Sequence, residues 1–391
     1  MENGGGPGTG RGRPSKIAAI NGLRGIAIVG VIWQHIFANW FSLPKVGPYH
    51  WYDPLVTNGW TGVNLFFILS GFVLFLPYAQ GSRSVEGLKD VFEFYRHRFF
   101  RLMPLYYVAA LLVLVMAGST MNKPSFIYTS EQIILLGFLT NRYGMSPPIN
   151  YPLWSIGVEL EFSILFPIIV ALMNRMSLRW LLTVTLAFAF AARIGGRIWD
   201  FHRLGPNSVS DNIFGRIDEF VLGMAMATTY AKGRIPRWAR HLKWSGIALI
   251  LLSWEGFYPC QYGNISVVWM APLNNVLDAG ICLVLLSALE REERHWSVLS
   301  LWPLQVMGVM CYSVYIWHAP VLENVAHRQG IFLSLLLVAG LAAMSYRFIE
   351  FGKVRDWKAL FLIPGNIWSL PVPPAVFEPL GLARLNRRSD D

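Results

Sequence analysis

Arg24 and His35 stand eleven positions apart in an otherwise apolar stretch, NGLRGIAIVGVIWQH. Eleven steps of 100° bring an α-helix back to within about 20° of its starting direction, so both side chains share one face, roughly 16 Å apart along the axis. A histidine with an unperturbed pKa near 6.5 takes a proton from an attacking hydroxyl and returns it to a leaving thiolate. An arginine at the other end of the same face suits the anionic head of a donor whose reactive end reaches across towards an acceptor. A plain hydrogen bond from His35 to a neighbouring helix fits the same residues.

Other polar groups interrupt apolar runs further along. In FYRHRFFRLMP, Arg98 and Arg101 are three residues apart and share a helical face, so that two guanidinium forks can hold phosphate groups. Basic residues at a cytoplasmic helix end also simply face anionic lipid headgroups. In PLWSIGVELEFSILFP, Ser155 and Glu159 are four apart on one face, and Glu159 or Glu161 can orient the imidazolium of His35 as a carboxylate does in a nucleophile–base–orienter set. Glu161 lies on a different face, where a structural interhelical bond explains it better. Arg216, Asp218 and Glu219 form a compact group read as a buried ion pair. In CYSVYIWHAPVLENV, Tyr312, Tyr315 and Trp317 make a polar-aromatic wall or an interfacial belt, and His318 is placed to meet an acceptor. Glu350 is expected to pair with Arg347.

The elements that carry these residues belong in lipid. The 391 residues are 54% hydrophobic and 14% charged, against about 25% charged in soluble domains. Apolar runs of about 20 residues recur along the chain, so the fold class is all-α: a polytopic integral membrane helix bundle. Ten spans are read, near 17–40, 59–78, 101–119, 153–173, 180–196, 213–230, 243–258, 268–289, 304–322 and 331–350. A shorter apolar stretch, 127–139, is read as re-entrant or interfacial, because a crossing there would turn several basic segments outward. With both termini inside, the cytoplasmic segments carry most of the 33 Lys and Arg residues, and the expected location is the cell membrane.

The formal charge of +10 does not point to nucleic acid, since the basic residues punctuate spans instead of gathering on one surface. Residues 1–16 read as a disordered, basic cytoplasmic tail, and 353–391 as a Pro-rich cytoplasmic tail whose apolar residues can rest on the membrane surface. Cys260, Cys282 and Cys311 show no metal-ligand spacing.

The order of NGLRGIAIVGVIWQH, GVNLFFILSGFVL, YRHRFFRLMPLYY, PLWSIGVELEFSILFP, YSVYIWHAP and YRFIE resembles the membrane acyltransferase 3 family over residues 17–352. Members of that family place acetyl, succinyl or other acyl groups on glycans, lipids and some antibiotics. The resemblance implies that His35 is the catalytic base, supported by Glu159. It implies that Arg24, Arg98 and Arg101 serve an acyl-coenzyme A donor, acetyl-coenzyme A first among them. Trp154 and Ser155 fall on the family's Trp-Ser-x-x-x-Glu pattern, and His318 on its late-helix histidine, with an acceptor-side or structural role.

The acceptor implied is a hydroxyl of an extracytoplasmic glycan or glycolipid, with no metal and no tightly bound cofactor. Only about 40 residues follow the last span, where some relatives append an outer esterase-like domain, so the chain is expected to act alone or with a separate extracytoplasmic partner. Where many relatives read Glu-Glu-Gln-Phe-Tyr, this chain reads Glu159-Leu160-Glu161-Phe162-Ser163, which leaves the acceptor open. Two rival readings stand beside this one: a multi-pass transporter or flippase, since intramembrane Arg, His and Glu also line substrate paths, and O-acylation of a cytoplasmic small molecule such as a macrolide.

Overall fold

A computed structural model of the chain describes residues 14–40, 50–118, 152–199, 209–290, 298–324 and 330–350, and among these it is helical with no strand. In chain order the helices are α1 (Pro14–Trp40), the short α2 (Asp53–Thr57), α3 (Gly62–Ala79), α4 (Leu88–Gly118), α5 (Leu153–Met173), α6 (Leu178–Trp199), α7 (Ile213–Ala231), α8 (Leu242–Gln261), α9 (Met270–Glu290), α10 (Trp302–Val309), α11 (Cys311–Asn324) and α12 (Ile331–Ser345). A π-helical turn, Tyr346–Glu350, continues α12. Six helical segments among the described residues are long and apolar enough to cross a membrane: Ala18–Phe37, Gly59–Ala79, Leu153–Met173, Leu178–Trp199, Val267–Glu290 and Ile331–Glu350. The 127–139 stretch, residues 1–13 and the C-terminal tail lie outside the described residues, while 14–16, read as the end of the N-terminal tail, already belong to α1.

Two of the expected spans take a different form. The run at 304–322 is broken into α10 and α11 at Met310, whose N–H bonds back to the Val306 carbonyl (3.0 Å) to end the first helix. Hydropathy is blind to this break, because every residue around it is apolar or small. The run read as 101–119 is the second half of a 31-residue helix, α4, which carries the basic segment around Arg98 in the same rod as the apolar one. Pro104 does not interrupt it.

Close packing between helices rests on small residues. α3 and α7 pack against each other with Gly71 and Gly223 at the contact: a Cβ on Gly71 would sit 2.0 Å from the Phe220 carbonyl oxygen, and one on Gly223 would sit 2.0 Å from that of Ile68. Such backbone approach is how helices associate where lipid removes the hydrophobic drive between them. Phe220 stacks on Phe67 (4.8 Å between ring centres) and on Phe162 (4.0 Å), which ties α3, α5 and α7 into one core. α1 lies against α10, where Gly308 meets the Asn21 backbone and Gln305 Nε2 donates to the Ala18 carbonyl (2.6 Å). The outward faces are apolar and exposed, as along Val184 and Phe188 of α6 or Leu333 and Leu336 of α12, as lipid-facing surfaces must be.

Candidate active site

α1 and α11 lie in contact and run parallel, since Arg24 neighbours Cys311 while His35, further along α1, meets His318 further along α11. The two imidazole rings are 4.8 Å apart between centres and meet edge to face at 78°. The break at Met310 starts α11 afresh beside α1, which brings its polar residues to the Arg24–His35 face. His318 is fully buried, and its Nδ1 lies 2.6 Å from the Tyr315 carbonyl oxygen. A carbonyl only accepts, so Nδ1 carries the proton and Nε2 holds a lone pair, and that Nε2 is buried without a hydrogen-bond partner among the described residues. His35 itself is half-buried and makes no hydrogen bond among the described residues.

Beside this pair stands the start of α5. Ser155 Oγ lies 2.7 Å from the Tyr315 hydroxyl, and both reach the Pro152 carbonyl, at 3.1 and 3.0 Å. One of the two hydroxyls therefore donates to the other and that one to the carbonyl. Tyr315 is in turn 5.2 Å from the His318 ring. Trp154 is buried with Phe67 against its edge, and the Arg216 guanidinium lies 6.0 Å from its ring centre.

At the other end of the α1 face three guanidinium groups gather around two carboxylates. Arg98 Nη2 donates to Glu159 Oε1 (2.7 Å) and its Nε to Ser163 Oγ (3.0 Å), and Ser70 Oγ donates to the same carboxylate (3.0 Å). Arg101 Nη1 and Ser313 Oγ bond the two oxygens of Glu350. Glu350 was expected on Arg347; the wide π-helical turn that ends α12 delivers it to α4 and α11. Arg24 makes no hydrogen bond or ion pair among the described residues, yet it lies within electrostatic reach of Arg98, Arg101 and Glu159. One positive charge is left over here, and the cluster is partly open, with Arg98 14% and Glu159 22% exposed.

The sequence suggested Glu159 or Glu161 as the orienter of His35. Glu159 is held by Arg98 and Ser70, and Glu161 Oε2 accepts from the Ile213 backbone N–H (3.1 Å), capping the start of α7.

A second polar group is far larger than the sequence indicated. Arg193 grips Asp218 with both Nη atoms (3.1 and 2.5 Å), Arg197 pairs with Asp211 (3.0 Å), and Arg216 bonds Glu219 (2.7 Å) and Asp211. Asn64 and Asn274 bridge Glu219 to Asp278, all of them buried. Arg197 falls one residue beyond the span read as 180–196, and Arg193 lies within that span without being singled out. Their spacing of four on an otherwise apolar helix is the signal that finds them. Among the described residues no three His, Cys, Asp or Glu side chains converge as metal ligands do.

A family model described as an acyltransferase domain, of the acyltransferase 3 type, matches residues 17–349. An O-acetyltransferase of Staphylococcus aureus, OatA, is 24% identical over 394 residues, covering 90% of this chain and 59% of the relative. A peptidoglycan O-acetyltransferase of Listeria monocytogenes, also OatA, is 23% identical over 366 residues, covering 85% of this chain and 55% of the relative. The chain thus spans somewhat over half the length of these curated relatives. No solved structure matches it at a comparable level of significance.

Proposed function

The chain belongs to the membrane acyltransferase 3 family, and from that premise we propose that it moves an acetyl group from cytoplasmic acetyl-coenzyme A to a hydroxyl of an extracytoplasmic glycan or glycolipid. The observation that carries this reading is the single face of α1, with a cation that is unpaired among the described residues at one end and a histidine beside a second buried histidine at the other. The roughly 16 Å between them is about the reach of an extended pantetheine arm. The names of both relatives favour acetyl as the group, and that of the Listeria relative, a peptidoglycan O-acetyltransferase, favours a cell-wall glycan as the kind of acceptor.

On this reading the coenzyme A phosphates bind at Arg24, with Arg98 and Arg101 beside it. Glu159 and Glu350 hold those two arginines in place until the anion arrives. The thioester then lies near His35. His35 takes the proton of the acceptor hydroxyl as its oxygen attacks the thioester carbonyl; the tetrahedral intermediate collapses, the C–S bond breaks, and the thiolate leaves with that proton. Trp154 and Ser155, at the start of α5, line the His35 end of this face together with His318. On this reading the His35 end faces the outer side of the membrane and the Arg24 end the cytoplasm, with both termini inside and about ten crossings in all, a sidedness that the distribution of Lys and Arg between segments supports.

The test is release of free coenzyme A by the purified protein in lipid vesicles, across several acyl-coenzyme A donors and a panel of glycans, with His35→Ala alongside. Acceptor-dependent turnover by the wild type and its loss by 10²-fold or more in the variant is the expected result, the usual size of a general base's contribution being about 10²–10⁴. A folded wild type that binds no donor and consumes no thioester would move the reading to a transporter. Turnover with a macrolide added on the donor's own side would move the acceptor to the cytoplasm.

A further inference from the structure

We propose that His318 is the positioning residue of His35: its Nε2 accepts the N–H of the His35 imidazole, fixes the tautomer that leaves the other nitrogen free for the acceptor hydroxyl, and shares the imidazolium charge that follows. The inference rests on the acyl-transfer reading above and supplies the part that neither glutamate fills. A base that takes a proton in the transition state needs a partner on its second nitrogen, and in hydrolytic triads a carboxylate takes that place. Here Glu159 is occupied by Arg98 and Ser70, and Glu161 caps α7.

Three observations converge on His318. The Tyr315 carbonyl fixes its proton on Nδ1, so Nε2 is an acceptor. That Nε2 is sealed from solvent with no hydrogen-bond partner among the described residues, a cost of about 1–3 kcal/mol that a native structure rarely leaves uncompensated. The ring lies edge to face with His35 at 4.8 Å, close enough for a small rotation of either ring to bring the two nitrogens together, as catalytic hydrogen bonds often tighten only once substrate is bound. Ser155 and Tyr315 hold the wall behind it, the phenol being fixed by the Pro152 carbonyl.

The step balances with one proton between the two rings. The hydroxyl O–H breaks as the new C–O bond forms, and the proton is held on His35 with its other N–H donated to His318. The C–S bond then breaks, and the thiolate takes the proton, which restores two neutral imidazoles. Two imidazolium charges this close in a medium of low dielectric would repel strongly, so the pair carries a single extra proton.

The experiment compares His318→Gln with His318→Phe in the coenzyme A release assay. Gln keeps an acceptor oxygen on a side chain of similar reach, whereas Phe fills the space without one. The expected result is a kcat about 10²-fold or more lower for Phe with the KM for the donor unchanged, and a kcat for Gln within about 10-fold of wild type. Should Phe not yield folded protein, His318→Met, apolar and unbranched, takes its place with the same expectation. Equal kcat for the Gln and apolar variants beside an active wild type overturns the assignment of His318 and leaves the acyl-transfer reading standing. A wild type without thioester turnover removes both.

Discussion

Two clusters in this molecule are each built on three arginines, and they are put together in opposite ways. Around Arg193, Arg197 and Arg216 every guanidinium meets a carboxylate, a further acid, Asp278, stands behind, and the arginine side chains are 4–7% exposed. Around Arg24, Arg98 and Arg101 only two carboxylates stand among the described residues, the pairs are partly open, and Arg24 makes an ion pair with neither. Desolvation makes a buried charge costly unless it is matched, so the first cluster is a closed structural unit that joins α6, α7 and α9. The second keeps a positive charge uncompensated and reachable, which is the condition for binding an anion. The same residue type therefore serves as a fastener in one place and, on the proposed reading, as a ligand site in the other, and it is the ratio of acids to arginines that decides.

Asp218→Ala should have the largest effect on the folded state. It takes the bidentate carboxylate from the buried Arg193 and leaves it, among the described residues, only Glu219 at 3.9 Å as an ion-pair partner, and breaking such a pair costs about 3–5 kcal/mol, so little folded protein should survive detergent extraction and size-exclusion chromatography. A well-folded Asp218→Ala with normal thermal unfolding would mean the network is not the fastener described. Arg24→Gln should do the reverse: the unfolding temperature holds, while KM for the acyl-coenzyme A donor rises about 10–100-fold, matching the 1.5–3 kcal/mol of a hydrogen bond to a charged group. Equal donor KM in wild type and variant would remove Arg24 from the donor site. The smallest effect is that of salt. Raising ionic strength from about 0.05 to 0.5 M shortens the screening length and should raise donor KM several-fold through the open cluster, with the unfolding temperature nearly constant because the closed one is shielded from ions. A salt-independent KM would argue that no exposed charge reads the donor.

Much of this architecture is legible without coordinates. Lipid demands long apolar helices, so the run at 153–173 coincides with α5 and that at 213–230 falls one residue short of α7. The shared face of Arg24 and His35 follows from helical periodicity alone, and the structure brings both to α11. Partners are another matter, because they depend on tertiary packing. Local spacing favoured Arg347 for Glu350, three residues away, whereas its carboxylate is bonded by Arg101 and Ser313, from two other helices. The break at Met310 is equally silent in sequence, since apolar residues on both sides satisfy the membrane whether or not the helix continues. Of the closed network only Arg216, Asp218 and Glu219 stood out, because they are neighbours in the chain; Asp211, Arg193 and Asp278 come from separate segments and meet only in the fold.

α1 is a single uninterrupted helix that carries both Arg24 and His35, and its N-terminal half is held against α10 where Gly308 meets the backbone of Asn21. The interval between the charge and the imidazole is therefore set by the rise of one rod and not by the relative placement of two. On the proposed reading that rod is a gauge of carrier length. It registers the stretch from phosphate to sulfur, which is the same for every acyl-coenzyme A, and leaves the choice of acyl group to whatever walls surround the far end.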